Sequence, residues 1–103
     1  MYKPLPESLT IKTSGIHNLG VFADQDINQA TNLGITHIKV DDQIIRTPLG
    51  GFINHSNTPN CVKVELHANG YKNETFKKKW NLVTLQDIKK GEEITLRYTF
   101  YNV

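Results

Sequence analysis

Cysteine is almost absent: Cys61 is the only one, so no disulfide can close within the chain and an all-cysteine zinc site is excluded. Long apolar runs are missing too, since nothing approaches the ~18 residues a membrane span needs. Met1-Tyr2-Lys3-Pro4 opens no apolar stretch, so no signal peptide is expected, and a reducing, cytoplasmic setting follows. Charge imbalance is slight, at 12 basic against 10 acidic residues for a net +2, too little to argue a nucleic-acid partner. Repeats, linkers and low-complexity tracts are lacking. What is there is a globular composition, 38% hydrophobic and 21% charged over 103 residues, enough for one domain with one modest core.

Helix signal is scarce as well. The best candidate, Asp26 to Asn32, has no apolar period and runs toward Gly34. Strand signals dominate instead. Leu9 to Lys12 alternates into Ser14-Gly15, and Val21-Phe22-Ala23 forms the next apolar island. His37 to Val40 and Gln43 to Arg46 flank Asp41-Asp42 as a hairpin flanks its two-residue turn. Cys61 to Leu66 puts Val62, Val64 and Leu66 on one face and Lys63 and Glu65 on the other. Beyond the Asn69-Gly70 turn signal, Lys79 to Leu85 opposes Trp80, Leu82 and Thr84 to Lys79, Asn81 and Val83. Lys90-Gly91-Glu92 then turns the chain into a last strand, Glu93 to Tyr98. Short strands at regular spacing predict a mainly β domain.

Several chemistry-bearing groups have simpler readings. His55, Cys61 and His67 do not match a common zinc spacing and lack a fourth ligand, so no metal site is expected. Cys61 at a strand start reads as packing rather than as a nucleophile. Lys77-Lys78-Lys79 reads as the solvated start of a strand, with a phosphate or acidic-peptide contact as the sharper alternative. Asn54-His55-Ser56 and Asn73-Glu74-Thr75 fit the glycosylation sequon by chance.

Two segments resist such readings. Gly51-Phe52-Ile53-Asn54-His55-Ser56-Asn57-Thr58-Pro59-Asn60 turns abruptly from apolar to polar and holds more hydrogen-bonding groups in fixed order than a plain turn needs. Gly91-Glu92-Glu93-Ile94-Thr95-Leu96-Arg97-Tyr98 is a turn delivering a strand that ends in tyrosine. Together they resemble the signature motifs of the SET-domain protein methyltransferases, Asn-His-Ser-x-x-Pro-Asn and Gly-Glu-Glu-Leu/Ile-Thr-x-x-Tyr. The first has five fixed positions, which chance supplies in roughly one 100-residue chain in 30,000. A weaker third element, Ser14 to Ala23, resembles the family's Ser-x-x-x-Gly-x-Gly-x-Phe-Ala. The resemblance runs from about Leu9 to Tyr101 and is strongest to the small stand-alone viral and bacterial forms, which makes the setting a host cytoplasm if the source is viral.

The resemblance implies a single SET domain over residues 1–103: a β-clip of several short sheets with little helix and a knot-like C-terminal substructure. It implies S-adenosylmethionine as cofactor and methyl transfer to a lysine ε-amine of a protein substrate. Tyr98 would be the catalytic residue. Asn54 would bond the methionine portion of the cofactor, the backbone of His55 would read the adenine edge, and the backbone of His17, Asn18 and Leu19 would line the amino-acid end. Phe100 or Tyr101 would stack on the adenine, unless either is ordinary core. A free lysine has a pKa of about 10.4, and a sulfonium about 4 Å away at an effective dielectric of 20 lowers it by about 3 units, so no dedicated base is required.

The sequence departs from the family pattern at three single positions. Asn18 replaces the first Gly of Gly-x-Gly, Asn57 a frequent Cys and Arg97 a frequent Asp. Asn is the non-glycine residue that best tolerates the left-handed backbone region. The segment between Ala23 and Gly51 is too short for the usual helical insert that walls the substrate groove, and no post-SET zinc cluster is expected. A homodimer, or the substrate itself, is expected to complete the groove. The substrate is a soluble protein bearing the target lysine, such as a histone, ribosomal protein or translation factor; no membrane and no nucleic acid are expected as partners. The alternative is a SET fold that holds peptide or cofactor without transferring a methyl, and a small nucleic-acid-binding β-barrel would leave both motifs unexplained.

Overall fold

Alternation of apolar and polar residues builds most of this molecule, a computed structural model of which describes residues 5–40, 43–67 and 76–97, with backbone alone at 66, 67, 76 and 77. Strands β1 (Leu9–Thr13) and β2 (Leu19–Ala23) pair antiparallel, Ile11 opposite Val21. Strands β3 (Asn32–Val40) and β4 (Gln43–Arg46) form the expected hairpin, Ile38 opposite Ile45. One helical turn, α1 (Pro48–Phe52), leads into β5 (Asn54–His55). Strands β6 (Cys61–His67) and β7 (Phe76–Thr84) pair antiparallel, and β8 (Glu93–Leu96) closes the described chain. Neighbours run β1-β2-β8-β6-β7-β3-β4, with β5 added on β8. The domain is mainly β, as expected.

Strand β8 holds this order together. It pairs antiparallel with β2 on one side and parallel with β5 and β6 on the other, so three distant segments share one four-residue strand. Its inward residues Ile94 and Leu96 join Leu9, Val21, Ile27, Leu33, Leu49, Ile53, Leu82 and Ile88 in the core. Burial of such aliphatic side chains supplies the non-directional part of the stability, about 1.5–3 kcal/mol for each one fully buried.

Three local readings need correction. Asp26 to Asn32 is not helical: Ile27 bridges Ile88, and Ala30 sits at φ +64° with its amide on the Thr84 carbonyl. Strand β3 starts at Asn32, well before His37. Gly34, at φ +119°, lies in a β-bulge, so a residue that reads as a breaker is absorbed by the strand. The helix that does form, α1, hides in Pro-Leu-Gly-Gly-Phe, a poor helical sequence. Thr47 caps it through Oγ1 accepting from the Gly50 amide at 3.3 Å, and Pro48 stands in the first turn, where its missing N–H costs nothing. A Cβ at Gly50 would lie 2.2 Å from the Thr36 carbonyl oxygen, so glycine lets α1 press onto β3.

The periods of β6 and β7 hold, but only one apolar face turns inward. Trp80, Leu82 and Thr84 are buried as their alternation predicts. In β6 it is Cys61 that is buried, while Val62 and Val64 remain 38% and 39% exposed. His37 is buried on β3 with Nδ1 2.9 Å from the Thr36 hydroxyl. Burial first, then the Lys63 and Arg46 charges, push its pKa down to about 4, so it is neutral at pH 7.

Candidate functional site

Strand β8 brings the two sequence motifs together. Asn54 and His55 run parallel to Thr95 and Leu96, and the Ser56 amide donates to the Leu96 carbonyl at 3.1 Å. The last residue of the first motif, Asn60, clasps the strand of the second. Its Nδ2 donates to the Glu93 carbonyl at 2.8 Å, and its Oδ1 accepts from the Thr95 amide at 2.9 Å. One side chain thus behaves like a short extra strand. No aliphatic residue could take its place, because both β8 groups would lose their partner in a buried setting.

The neighbouring carboxylate, Glu93, binds the N-terminal element to the same place. It accepts from the Ser14 hydroxyl at 2.7 and 2.9 Å and from Asn54 Nδ2 at 2.8 Å. Asn54 Nδ2 also lies 3.3 Å from the His17 carbonyl and 3.1 Å from that of Leu19. Ser14 caps the turn between, with Oγ accepting from the Ile16 amide at 2.9 Å and its own amide donating to the Asn18 carbonyl at 2.8 Å. Asn18 adopts φ +32°, in the left-handed region where asparagine is the best substitute for glycine. The second glycine position is stricter. A Cβ at Gly20 would lie 2.3 Å from Glu93 Oε2 and 3.0 Å from Asn54 Nδ2, on groups already fixed by hydrogen bonds.

A cavity of about 490 Å³ opens beside this network, lined by His17, Asn18, Leu19, Arg46, Gly51, Phe52 and Asn54. Its wall is mixed: Leu19 and Phe52 offer apolar surface, while Asn54, His17 and Arg46 offer polar groups. Asn54 is only 7% exposed, and its Oδ1 has no hydrogen-bond partner among the described residues. That burial also removes it as a glycosylation acceptor.

Four of the residues singled out from sequence, His17, Asn18, Leu19 and Asn54, therefore line one cavity. His55 does not line it; its Nε2 is 3.1 Å from Asn57 Oδ1. Asn57 and Arg97, two of the single-position departures from the family pattern, touch: the Arg97 guanidinium donates to the Asn57 carbonyl at 2.6 Å. Tyr98, Phe100 and Tyr101 lie outside the described residues, and so does the C-terminal segment in which a knot-like substructure is expected. A second cavity of about 330 Å³, lined by Pro59, Cys61, Val62, Lys63, Leu85, Leu96 and Arg97, opens at the C-terminal end of β8. Burial pushes the Cys61 thiol up to about 12, so it stays a thiol and offers no nucleophile near neutral pH.

The SET-domain family profile matches residues 39–99, more than half of the chain. The chain belongs to the SET-domain family. That match takes in Asn54, His55 and Tyr98, whereas the Ser14 to Ala23 element lies before it and Tyr101 beyond it. Among solved structures, this SET chain is similar to a Plasmodium falciparum protein described as a candidate histone methyltransferase. The two share 18% identity, with a TM-score of 0.73 over 91% of this chain and 95% of that one. No curated protein sequence matches.

Sequence reasoning missed Glu93, Asn60, Ser14 and Arg46. The first three stand inside the quoted motifs, and their fixed polar identity was the available signal. Arg46 had none, because it reads as the end of a hairpin strand.

Proposed function

We propose that this SET-domain chain is a methyltransferase that uses S-adenosylmethionine to methylate the ε-amine of a lysine in a protein substrate. The observation that carries this reading is the buried Asn54, held by three acceptors through its nitrogen, with no partner for its oxygen among the described residues, at a cavity shared with His17, Asn18 and Leu19. A zwitterionic ligand with an apolar body suits such a wall: an amide oxygen accepts from an ammonium, an arginine faces a carboxylate, and Leu19 and Phe52 cover carbon. The donor set therefore fits the cofactor.

When bound, the cofactor supplies an electrophilic methyl on a positively charged sulfur. The chain's own part is to hold and to orient. Asn54 would accept from the cofactor's amino group, and the Ser14 to Leu19 turn would shape that end. His55 would contribute backbone groups, and Tyr101 or Phe100 an aromatic face. Tyr98, following directly on Arg97, would place a hydroxyl dipole at the reacting atoms and act by positioning and electrostatics. The target lysine would approach as an extended segment of a soluble protein. The family resemblance implies a longer insert between Ala23 and Gly51 than this chain has, so a second copy or the substrate protein would supply the rest of the groove.

Thermal unfolding with and without S-adenosylmethionine tests the reading. A ligand that binds only the folded state stabilises it by about 2.7 kcal/mol at a hundred times its Kd. The melting temperature should rise with the wild-type chain, and Asn54→Ala should abolish most of that rise. A melting curve unmoved at millimolar cofactor contradicts the proposal; a shift without methyl transfer to any protein identifies a binding module instead.

A further inference from the structure

Resting on that reading, we infer that Arg97 is a positioning residue for Tyr98: its guanidinium clamps the chain as it leaves β8 and so governs the rate of methyl transfer. Arg97 is the residue immediately before Tyr98. Strand β8 pairs with β5 and β6 as far as Leu96, so the ladders stop just before Arg97. Beyond them the Arg97 side chain takes over, donating to the Asn57 carbonyl at 2.6 Å. That acceptor sits in a turn tied to β8 on both sides. Before it, the Ser56 amide donates to the Leu96 carbonyl at 3.1 Å; after it, Asn60 clasps Glu93 and Thr95. Within the turn, the Thr58 amide donates to Ser56 Oγ at 3.0 Å. The guanidinium therefore fastens the exit from β8 to a fixed point of the first motif.

The contact joins two positions at which the sequence leaves the family pattern, and one of them creates it. Asn57 contributes a backbone carbonyl, which any residue there would offer. Arg97 contributes the donor, and an ionised aspartate, frequent at that position, has no proton to give. A short bond from a planar cation to a carbonyl is directional. None of the other residues lining the cavity beside Arg97 is acidic, so no carboxylate there draws the guanidinium away. Arg97 is exposed, so the bond adds little to global stability. Its leverage is local. A catalytic group displaced by about 1 Å can cost about 10²-fold in rate. The cavity that holds Asn54 shares no residue with this clamp, so cofactor binding is insulated from it.

Three variants of the full chain test the assignment: Arg97→Ala, Arg97→Lys, and Arg97→Ala combined with Tyr98→Phe. Single-turnover transfer from labelled S-adenosylmethionine to source-cell protein should fall roughly tenfold in Arg97→Ala, with cofactor affinity by calorimetry and melting temperature unchanged. Arg97→Lys, which can still donate to the carbonyl, should recover most of the rate. Added to Tyr98→Phe, Arg97→Ala should cost less than about twofold more, because a hydroxyl already removed cannot be misplaced. Without any cofactor, the Tyr98 ring signals of the tyrosine-labelled chain, assigned by their loss in Tyr98→Phe, should shift in Arg97→Ala and return in Arg97→Lys. A wild-type rate in Arg97→Ala, a cofactor affinity that falls as far as the rate, a full loss persisting on Tyr98→Phe, or unmoved ring signals would overturn the assignment while leaving the methyltransferase reading intact. A wild type that labels no protein, or Tyr98→Phe transferring at the wild-type rate, overturns the reading beneath it.

Discussion

Two halves of this small domain are held together by different physics. The sheet of β6, β7 and β3 runs in seven- to nine-residue strands whose ladders and alternating side chains fix the register. The crossing at β8 has strands of two and four residues, too short for a ladder to specify anything. There, named side chains do the specifying: Asn60 on the backbone of Glu93 and Thr95, Glu93 on Ser14, and Asn54 on Glu93 and the His17–Leu19 turn. The scaffold can change sequence if the pattern survives. The crossing cannot, and the candidate cavity opens on the crossing.

The sharpest break in that comparison comes from Asn60→Ala. It leaves the Glu93 carbonyl and the Thr95 amide without their partners in a buried place, and should cost about 3 kcal/mol in urea unfolding. Val64→Thr, on the exposed face of β6, should stay within about 0.5 kcal/mol. Equal costs would erase the distinction.

Acid should attack the scaffold through its own buried polar group. His37 binds a proton near pH 6.5 when unfolded but only near pH 4 when folded, so its contribution is complete above pH 6.5 and is lost as pH falls toward 4. The loss amounts to up to about 3 kcal/mol across that window. Stability measured from pH 7 to 4 should fall less steeply in His37→Gln, and equal slopes would remove His37 from the account.

The smallest effect belongs to the surface of the scaffold. Lys78 and Glu65 approach to 3.2 Å across β6 and β7, but both side chains are over one-third exposed. Glu65→Gln should change stability by less than about 0.5 kcal/mol, and 1 M salt should remove even that.

The same division decides what could be read without coordinates. Period-two patterns exposed the β3–β4 hairpin and the inward face of β7, because long strands advertise themselves. They missed β3 before His37, where a bulge absorbs Gly34, and they missed α1, whose evidence is a cap and a close approach rather than helix formers. They also gave Val62 and Val64 no direction, since an alternating strand does not say which face meets the core. At the site, resemblance picked out His17, Asn18, Leu19 and Asn54, which share a cavity. It could not pick out Arg46, whose place depends on how β4 turns into α1. The roles of Asn60 and Glu93 emerge only when β8 meets β5 and β6.

The central claim is that this SET-domain chain transfers methyl groups and that Tyr98 takes part at the reacting atoms. Single-turnover transfer from labelled S-adenosylmethionine to host or source-cell proteins, wild type beside Tyr98→Phe, tests it most directly. The wild type should label lysines. The variant keeps the ring and loses only the hydroxyl, so transfer should fall roughly 10²–10³-fold while cofactor affinity and stability barely move. A variant that transfers at the wild-type rate, or a wild type that labels no protein at all, would contradict the account.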